Sequence, residues 1–449
     1  MSCFWRHIGE TGLQIPNVKD VDNVTFYLIS VRVDEVTWSV SRRYSEFYDL
    51  HQMLCNDHGV SKNLLPPKRT IRNKCPNFIE TRRQALECYL QNIFNYLKRT
   101  MPREFVEFLD FNLYDTFYLL KKLAFRFCTE GDSIVNKEIT TFNPLELYSI
   151  SICLKQPFPN VVETDKRYEF SHVLDYCTQL TSLSINGIPK KFLLSNIEPN
   201  KLPIDLSIFK GLRSLSIHYM PLNNVSSLGT LRNTVEKLSV AKSSITNISD
   251  ILQCDILHKS QLCNTQVWTK LESLDLRFNN LTEIGPVLSL VPNLKKLYLG
   301  HNKITKLGDV SSLTKLTHLY INDNSISSCE DLHTKLGNVV VLDLSQNLIS
   351  SLEGFKKLYS LENLNLSSNQ ITDINQIANV GNLPCLEYLC LTGNVVATVV
   401  DYRAKVFECF GPRAKEICLD NEKPTQSELD KAAIFQALTI VREGRTPRF

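Results

Sequence analysis

From residue 271 onward the apolar positions follow one rule. Leu271-x-x-Leu274-x-Leu276-x-x-Asn279 is succeeded by the same frame ending at Asn302, Asn324, Asn347, Asn369 and Asn394, so the asparagines step by 23, 22, 23, 22 and 25 residues. Each frame predicts a short strand with its leucines inward, a turn at the asparagine and a return segment. Upstream, Leu180-x-x-Leu183-x-Ile185, Leu212-x-x-Leu215-x-Ile217 and Val235-x-x-Leu238-x-Val240 keep the strand positions. Of these, the first has an asparagine (Asn186) near the turn, and all three read as degenerate copies with longer insertions, including 252–268. Past Asn394 the rule stops. Tyr402, Val406, Phe407 and Phe410 follow at helical spacing, as expected of a cap over the last exposed leucines. Residues 422–449 begin polar, turn helical around Glu428–Val441 and end in an Arg/Pro-rich tail.

The first 118 residues carry other periods. Phe26–Val33 and Val36–Arg43 are rich in Val, Tyr and Trp, and Asp34-Glu35 between them suits a tight hairpin. Helical spacing begins at Tyr44–Leu54 (Phe47, Leu50, Leu54) and returns at Arg82–Leu97 (Leu86, Tyr89, Leu90, Ile93, Leu97). Arg103–Tyr118 is a third predicted helix. A small antiparallel sheet with helices packed on it makes an α+β module. Residues 119–165 read as a mostly helical connector.

The second half has the leucine-rich-repeat frame, within the usual ~20–29 residues per unit. A single unit cannot bury its leucines; six stacked units make one continuous core. The predicted fold class is therefore an α+β domain over 10–118 followed by an α/β leucine-rich-repeat solenoid over 166–421. A chain of 449 residues fits two to three domains. Apolar content of 43% with 22% charged residues is that of a globular protein, and a net charge of +3 disfavours a general polyanion binder and a nucleic-acid partner. No secretory signal and no apolar run near the ~20 residues of a membrane span is visible, so membrane contact is expected to be peripheral. The fourteen cysteines are scattered without a Cys-x-x-Cys pair and without clustered histidines, which predicts free thiols in a reducing cytosol and no metal or other cofactor.

Charge changes the picture at one place. Residues 42–83 hold nine Lys/Arg against four Asp/Glu. The cations fall in three groups: Arg42-Arg43-Tyr44, then Leu65-Pro66-Pro67-Lys68-Arg69, then Arg82-Arg83 at the start of an amphipathic stretch. A guanidinium can take a phosphate bidentately, an aromatic face can support a sugar-like ring, and a lysine can take a second phosphate. Lys68-Arg69-Thr70-Ile71-Arg72-Asn73-Lys74 adds cations around an apolar residue, with Phe78 and Ile79 beyond, a pattern suited to an anionic leaflet. Arg69, Ile71, Arg72 and Lys74 are the expected membrane contacts. One such site holds a membrane weakly, so dimerisation or a second contact is expected to assist.

These residues resemble a phox-homology (PX) domain over about 10–118. The resemblance implies that Arg43, directly before the tyrosine, holds the 3-phosphate of phosphatidylinositol 3-phosphate. It further implies that Tyr44 packs under the inositol ring, Lys68 meets the 1-phosphate and Arg82 bonds the 4- and 5-hydroxyls. With the repeats behind it, the chain resembles the nischarin family, most specifically at Ser61–Lys68, Asp205–Leu212, His333–Leu366, Leu383–Leu389 and Asp401–Asn421. That resemblance implies cytoplasmic and early or recycling endosomal localisation, a restraining role in cell migration, and Rac and Rab GTPases, p21-activated kinases or integrin tails as partners.

On the repeat strands the residues between leucines face outward. Tyr298 and Tyr320 lie in adjacent units, flanked by Arg277, Lys296 and His318, and Tyr and Arg are frequent interface anchors. The expected function is a non-enzymatic adaptor, with a lipid address in front and a partner-binding solenoid behind. A regulatory subunit of a phosphatase or kinase on endosomal membranes is the alternative. No Gly-x-x-x-x-Gly-Lys, Gly-x-Ser-x-Gly or His-Glu-x-x-His motif argues for catalysis.

Overall fold

The two kinds of periodicity build two units in the computed structural model, which describes residues 8–22, 24–33, 36–68, 75–135, 139–155, 166–190, 198–254 and 264–442. One compact unit comprises Met1–Asn136, Pro144–Tyr176 and Ile188–Leu202; the other comprises Lys137–Asn143, Cys177–Gly187 and Pro203–Phe449. No helix among the described residues is long and apolar enough to cross a membrane.

In the first unit, β1 (Thr11–Val21), β2 (Val24–Val33) and β3 (Val36–Arg43) form an antiparallel sheet in that order. β2 and β3 match the Val/Tyr/Trp-rich strands expected there. β1 escapes a periodicity reading because Pro16 interrupts it and Asn17, Lys19 and Asp20 dilute it. The β1–β2 register shifts between Gln14 and Asn17, which places the proline at the break in the ladder. Four helices follow up to residue 135: α1 (Tyr44–Asp57), α2 (Pro76–Leu97), α3 (Arg103–Phe108) and α4 (Asn112–Val135). α2 starts at Pro76, earlier than its apolar spacing indicates, because proline is pre-organised for the first helical position. The helix expected over Arg103–Tyr118 is broken instead. Asp110 adopts φ 48°, its carboxylate accepts from Arg42 Nη2 at 3.0 Å, and the Trp38 indole donates to the Leu109 carbonyl at 2.9 Å. The core lies between the sheet (Ile29, Val31, Trp38, Val40) and the helices (Phe47, Leu50, Leu86, Leu90, Ile93), all buried.

Among the described residues, the second unit is built on one parallel sheet of eleven strands. In chain order they are β4 (Thr140–Phe142), β5 (Ser182–Asn186), β7 (Ser214–His218), β9 (Lys237–Ala241) and β10 (Ser273–Asp275). They continue as β11 (Lys296–Tyr298), β12 (His318–Tyr320), β13 (Val341–Asp343), β14 (Asn363–Asn365), β15 (Tyr388–Cys390) and β16 (Cys418–Leu419). A separate pair, β6 (Ile204–Asp205) and β8 (Val225–Ser226), forms a two-stranded sheet. The degenerate frames at 183, 215 and 238 are full members, with Leu183, Leu215, Leu238 and Leu274 in register on neighbouring strands. β4 lies inside the stretch read as a helical connector; three residues are too few to give a period.

The repeated asparagine explains why the units stack at a fixed spacing. Asn302 Nδ2 donates to the Leu299 carbonyl of its own turn at 2.9 Å and to the Leu276 carbonyl of the preceding unit at 3.0 Å, while its Oδ1 accepts from Leu281 N–H at 3.1 Å. Asn324, Asn347, Asn369 and Asn394 repeat the arrangement. Backbone groups that a short strand and turn would leave orphaned are thereby satisfied. The helix Tyr402–Glu408 closes the run, with Val406 and Phe407 fully buried.

Candidate functional site

Strand parity separates the first pair of arginines. Along β3, Val36, Trp38 and Val40 face the core, so Arg42 lies on their face and Arg43 on the opposite one. Arg42 is absorbed by the fold. Its Nε donates to the Phe108 carbonyl at 3.0 Å and its guanidinium pairs with Asp110 at 3.0 Å. Burial raises the Asp110 carboxyl above its usual range, against which the Arg42 charge acts. Arg43 instead has its side chain 56% exposed at the N-cap of α1, where its N–H donates to Glu46 Oε2 at 2.9 Å. The guanidinium reaches that same carboxylate at 3.8 Å.

Helical phase separates the second pair. Arg82 lies on the face of α2 that carries Leu86, Tyr89, Leu90 and Ile93, and is 9% exposed. Its guanidinium carbon sits 4.4 Å from the Tyr44 ring centroid and 4.3 Å from that of Phe78, held between two aromatic faces. Nη2 of Arg82 is buried with no hydrogen-bond partner among the described residues. Burial raises the Tyr27 phenol, and the nearby Arg82 charge opposes that rise; at Tyr44 burial again leads and the Arg82 charge opposes it. Arg83, one residue on, turns away to bond Glu80 at 2.7 Å, Glu87 at 3.4 Å and the Ile15 carbonyl.

Tyr44 ties the site together. Its hydroxyl donates to the Pro66 carbonyl at 2.5 Å, fixing the diproline loop beside the ring. Lys68, two residues further, is exposed. Tyr44 and Arg82 thus form one constellation with the Pro66 loop, and Arg43 precedes it in the chain at the mouth of α1. Arg69, Ile71, Arg72 and Lys74 lie outside the described residues. Phe78 and Tyr27 were not singled out as ligands of Arg82 from sequence; Phe78, four residues before Arg82 on one helix, was the available signal.

On the solenoid, the Tyr298 and Tyr320 rings stack at 4.8 Å and 4°, Arg277 lies 5.4 Å over Tyr298, and His318 tilts against Tyr320 at 6.5 Å. Lys296 is exposed beside them, and burial together with its charge lowers the His318 pKa. Arg277 is also forked on Asp275 at 2.9 and 2.7 Å.

Two family models match this chain: the PX domain over residues 31–112, and the leucine rich repeat over 269–326, 314–371 and 337–396. The chain is a PX domain followed by leucine-rich repeats. It is 27% identical to human serine/threonine-protein kinase 11-interacting protein over 216 residues, 48% of this chain and 19% of that protein. To the chicken protein of the same name it is 24% identical over 271 residues, 60% of this chain and 24% of that protein. The matched region thus spans about a fifth to a quarter of these curated relatives. Among solved structures, a designed CISK-PX domain is 31% identical and covers 22% of this chain and 97% of its own, with a TM-score of 0.21. The matched families are binding modules, PX for phosphoinositide lipids and leucine-rich repeats for proteins, a pairing that supports an adaptor role.

Proposed function

We propose that this chain is a non-enzymatic adaptor that binds phosphatidylinositol 3-phosphate on endosomal membranes through Arg43, Tyr44, Lys68 and Arg82, and holds a signalling protein on its repeats. The observation that carries the lipid reading is Arg82. It is clamped between Tyr44 and Phe78 with a buried donor, Nη2, that has no hydrogen-bond partner among the described residues. A native fold rarely leaves such a donor without a purpose, and a ring hydroxyl of a head group would satisfy it. Arg43 supplies a second guanidinium for a phosphate, and Lys68 a point charge on the tethered loop. Flotation with liposomes containing the 3-phosphate lipid tests this reading. Arg43→Ala should abolish binding and release the protein from endosomes, whereas unchanged binding would falsify the pocket.

On the repeats, Arg277, Lys296, Tyr298, His318 and Tyr320 are the proposed partner patch. By resemblance to the nischarin family, Rac or Rab GTPases, p21-activated kinases and integrin tails are the candidates to test. The relatives named for interacting with a serine/threonine kinase favour a second reading, in which the repeats hold a kinase as a regulatory subunit would. Kinase activity co-purifying with the wild type and lost on joint substitution of Tyr298 and Tyr320 would select it.

A further inference from the structure

From the unit of β7 through that of β15, one backbone position directly before the asparagine, or its counterpart, is left-handed. Tyr219 (φ 57°), Lys242 (54°), Phe278 (57°), His301 (56°), Asp323 (51°), Gln346 (56°), Ser368 (54°) and Gly393 (74°) occupy it in order. The later units use polar residues and a glycine there. Three of the earlier ones place Tyr, Lys and Phe at a conformation that bulky L-residues rarely adopt, so local stability does not account for that choice. Strain of this kind concentrates at functional sites.

The four side chains form an ordered row. Lys242 Nζ lies 5.0 Å from the Tyr219 ring and 5.1 Å from the Phe278 ring, and donates to Tyr219 Oη at 2.8 Å. Phe278 stacks on His301 at 4.1 Å and 7°, and His301 Nδ1 meets Asp323 Oδ2 at 2.6 Å. Tyr219 and Phe278 are nevertheless 49% and 43% exposed. The row occupies the turns that follow β7, β9, β10 and β11, and shares the units of β10 and β11 with the Arg277–Tyr298–Tyr320 stack. Between Tyr298 and His301 stands buried Gly300, where the Asn322 side chain fills the place a Cβ would take, with Oδ1 2.4 Å away. Lys242 bonds a neutral phenol rather than a carboxylate, and Lys237 and Lys296 are exposed on the neighbouring strands. Asp275 is already forked by Arg277, and Asp323 is engaged by His301. This face therefore offers stacked rings with surplus positive charge. At a strand spacing of ~4.8 Å, four rungs span about 14 Å, the length of about four extended residues.

We propose that the row Tyr219–Lys242–Phe278–His301 docks an extended acidic segment of a partner protein, with an aromatic or other flat side chain lying on the rings. The occupant is chosen by charge complementarity and by the preference of aromatic faces for flat groups. This rests on the reading that the repeats bind a protein, and extends it from Tyr298 and Tyr320 to the turn row.

The test is a selection of random displayed peptides on the full chain, followed by fluorescence polarisation with the tightest one. Enriched peptides are expected to be acidic and to contain an aromatic residue. Lys242→Ser combined with Phe278→Asn should weaken that peptide about tenfold, the size of two lost ring contacts. Asparagine suits the left-handed position, so this variant should melt no lower than wild type. If Tyr298→Ser with Tyr320→Ser weakens the peptide and the row variant does not, the row is overturned while the protein-binding reading stands. If neither pair matters, or nothing is enriched, both fail. Basic or purely apolar peptides overturn the proposed partner, as does binding to phosphatidylserine vesicles that the row variant loses.

Discussion

Replacing Arg82 with methionine should separate lipid binding from stability. In the free protein the guanidinium gains two ring contacts, at 4.4 and 4.3 Å, while its Nη2 is buried unpaired. Two cation–π contacts contribute ~1–2 kcal/mol together. A buried donor without a partner costs ~1–3 kcal/mol, so the two effects nearly cancel. Methionine keeps the apolar stem and adapts to the space beside Leu86, so the net change should stay within ~1 kcal/mol. For a domain of this size that is a melting shift of at most ~8 °C. Head-group binding has no such compensation. Losing charge-assisted hydrogen bonds worth ~1.5–3 kcal/mol should weaken it by roughly ten- to 150-fold. Arg82→Lys should fall between, keeping the charge and losing the planar fork. Flotation and differential scanning fluorimetry on the same preparation read both quantities. Methionine binding within about twofold of wild type would refute the assignment of Arg82. A collapsed melting transition would refute the claim that its unpaired donor offsets its ring contacts.

Further predictions concern the solenoid. Asn347→Ala removes bonds to the carbonyls of Ile321, Leu344 and Ser345 and from Ile326 N–H, all at 3.0–3.1 Å, and should cost ~2–4 kcal/mol in chemical denaturation; a loss below the error of the experiment would sink the ladder argument. Gly354→Ala puts a Cβ 1.6 Å from the Cys329 carbonyl oxygen, a backbone atom, and should lower the melting temperature of the repeats by ~6–12 °C if overpacking costs ~3 kcal/mol. Burial pushes the Cys329 and Cys177 thiols up to about 12, so iodoacetamide at mildly alkaline pH should spare both while labelling exposed Cys88 and Cys385; rapid native-state labelling of Cys329 would contradict this. His318 is held below its usual 6.5 by burial and by Lys296, so the unfolded chain takes up its proton first as pH falls. Its contribution is full above that value and declines below it, and His318→Gln should flatten the acid side of a stability–pH curve.

The repeats were legible because one side-chain rule recurs often enough to be counted. Even the imperfect frames at Leu183, Leu215 and Leu238 join the sheet in register. What escaped was short or interrupted. Thr140–Phe142 has three residues and no period, while β1 carries a proline at its register shift. The predicted helix from Arg103 failed at Asp110. Its left-handed backbone is sustained by Arg42, sixty-eight residues away in sequence, and no local propensity encodes that partner.

The basic segment shows where sequence reading stops and geometry takes over. As letters, Arg42-Arg43 and Arg82-Arg83 are interchangeable pairs. As residues on a strand of period two, neighbours point to opposite faces; on a helix, one step turns by about 100°. Thus Arg42 braces Phe108 and Asp110 while Arg43 stays in solvent, and Arg83 is consumed by Glu80, Glu87 and Ile15 while Arg82 faces the rings. Two of these four arginines are therefore structural. The same phase argument predicts an asymmetry within each pair. Arg42→Ala should strand the Asp110 carboxylate and lower stability, and any loss of lipid binding should follow that loss of fold. Arg43→Ala should leave melting unchanged and remove binding alone. If the two arginines behaved alike in both assays, parity would not be what separates their roles.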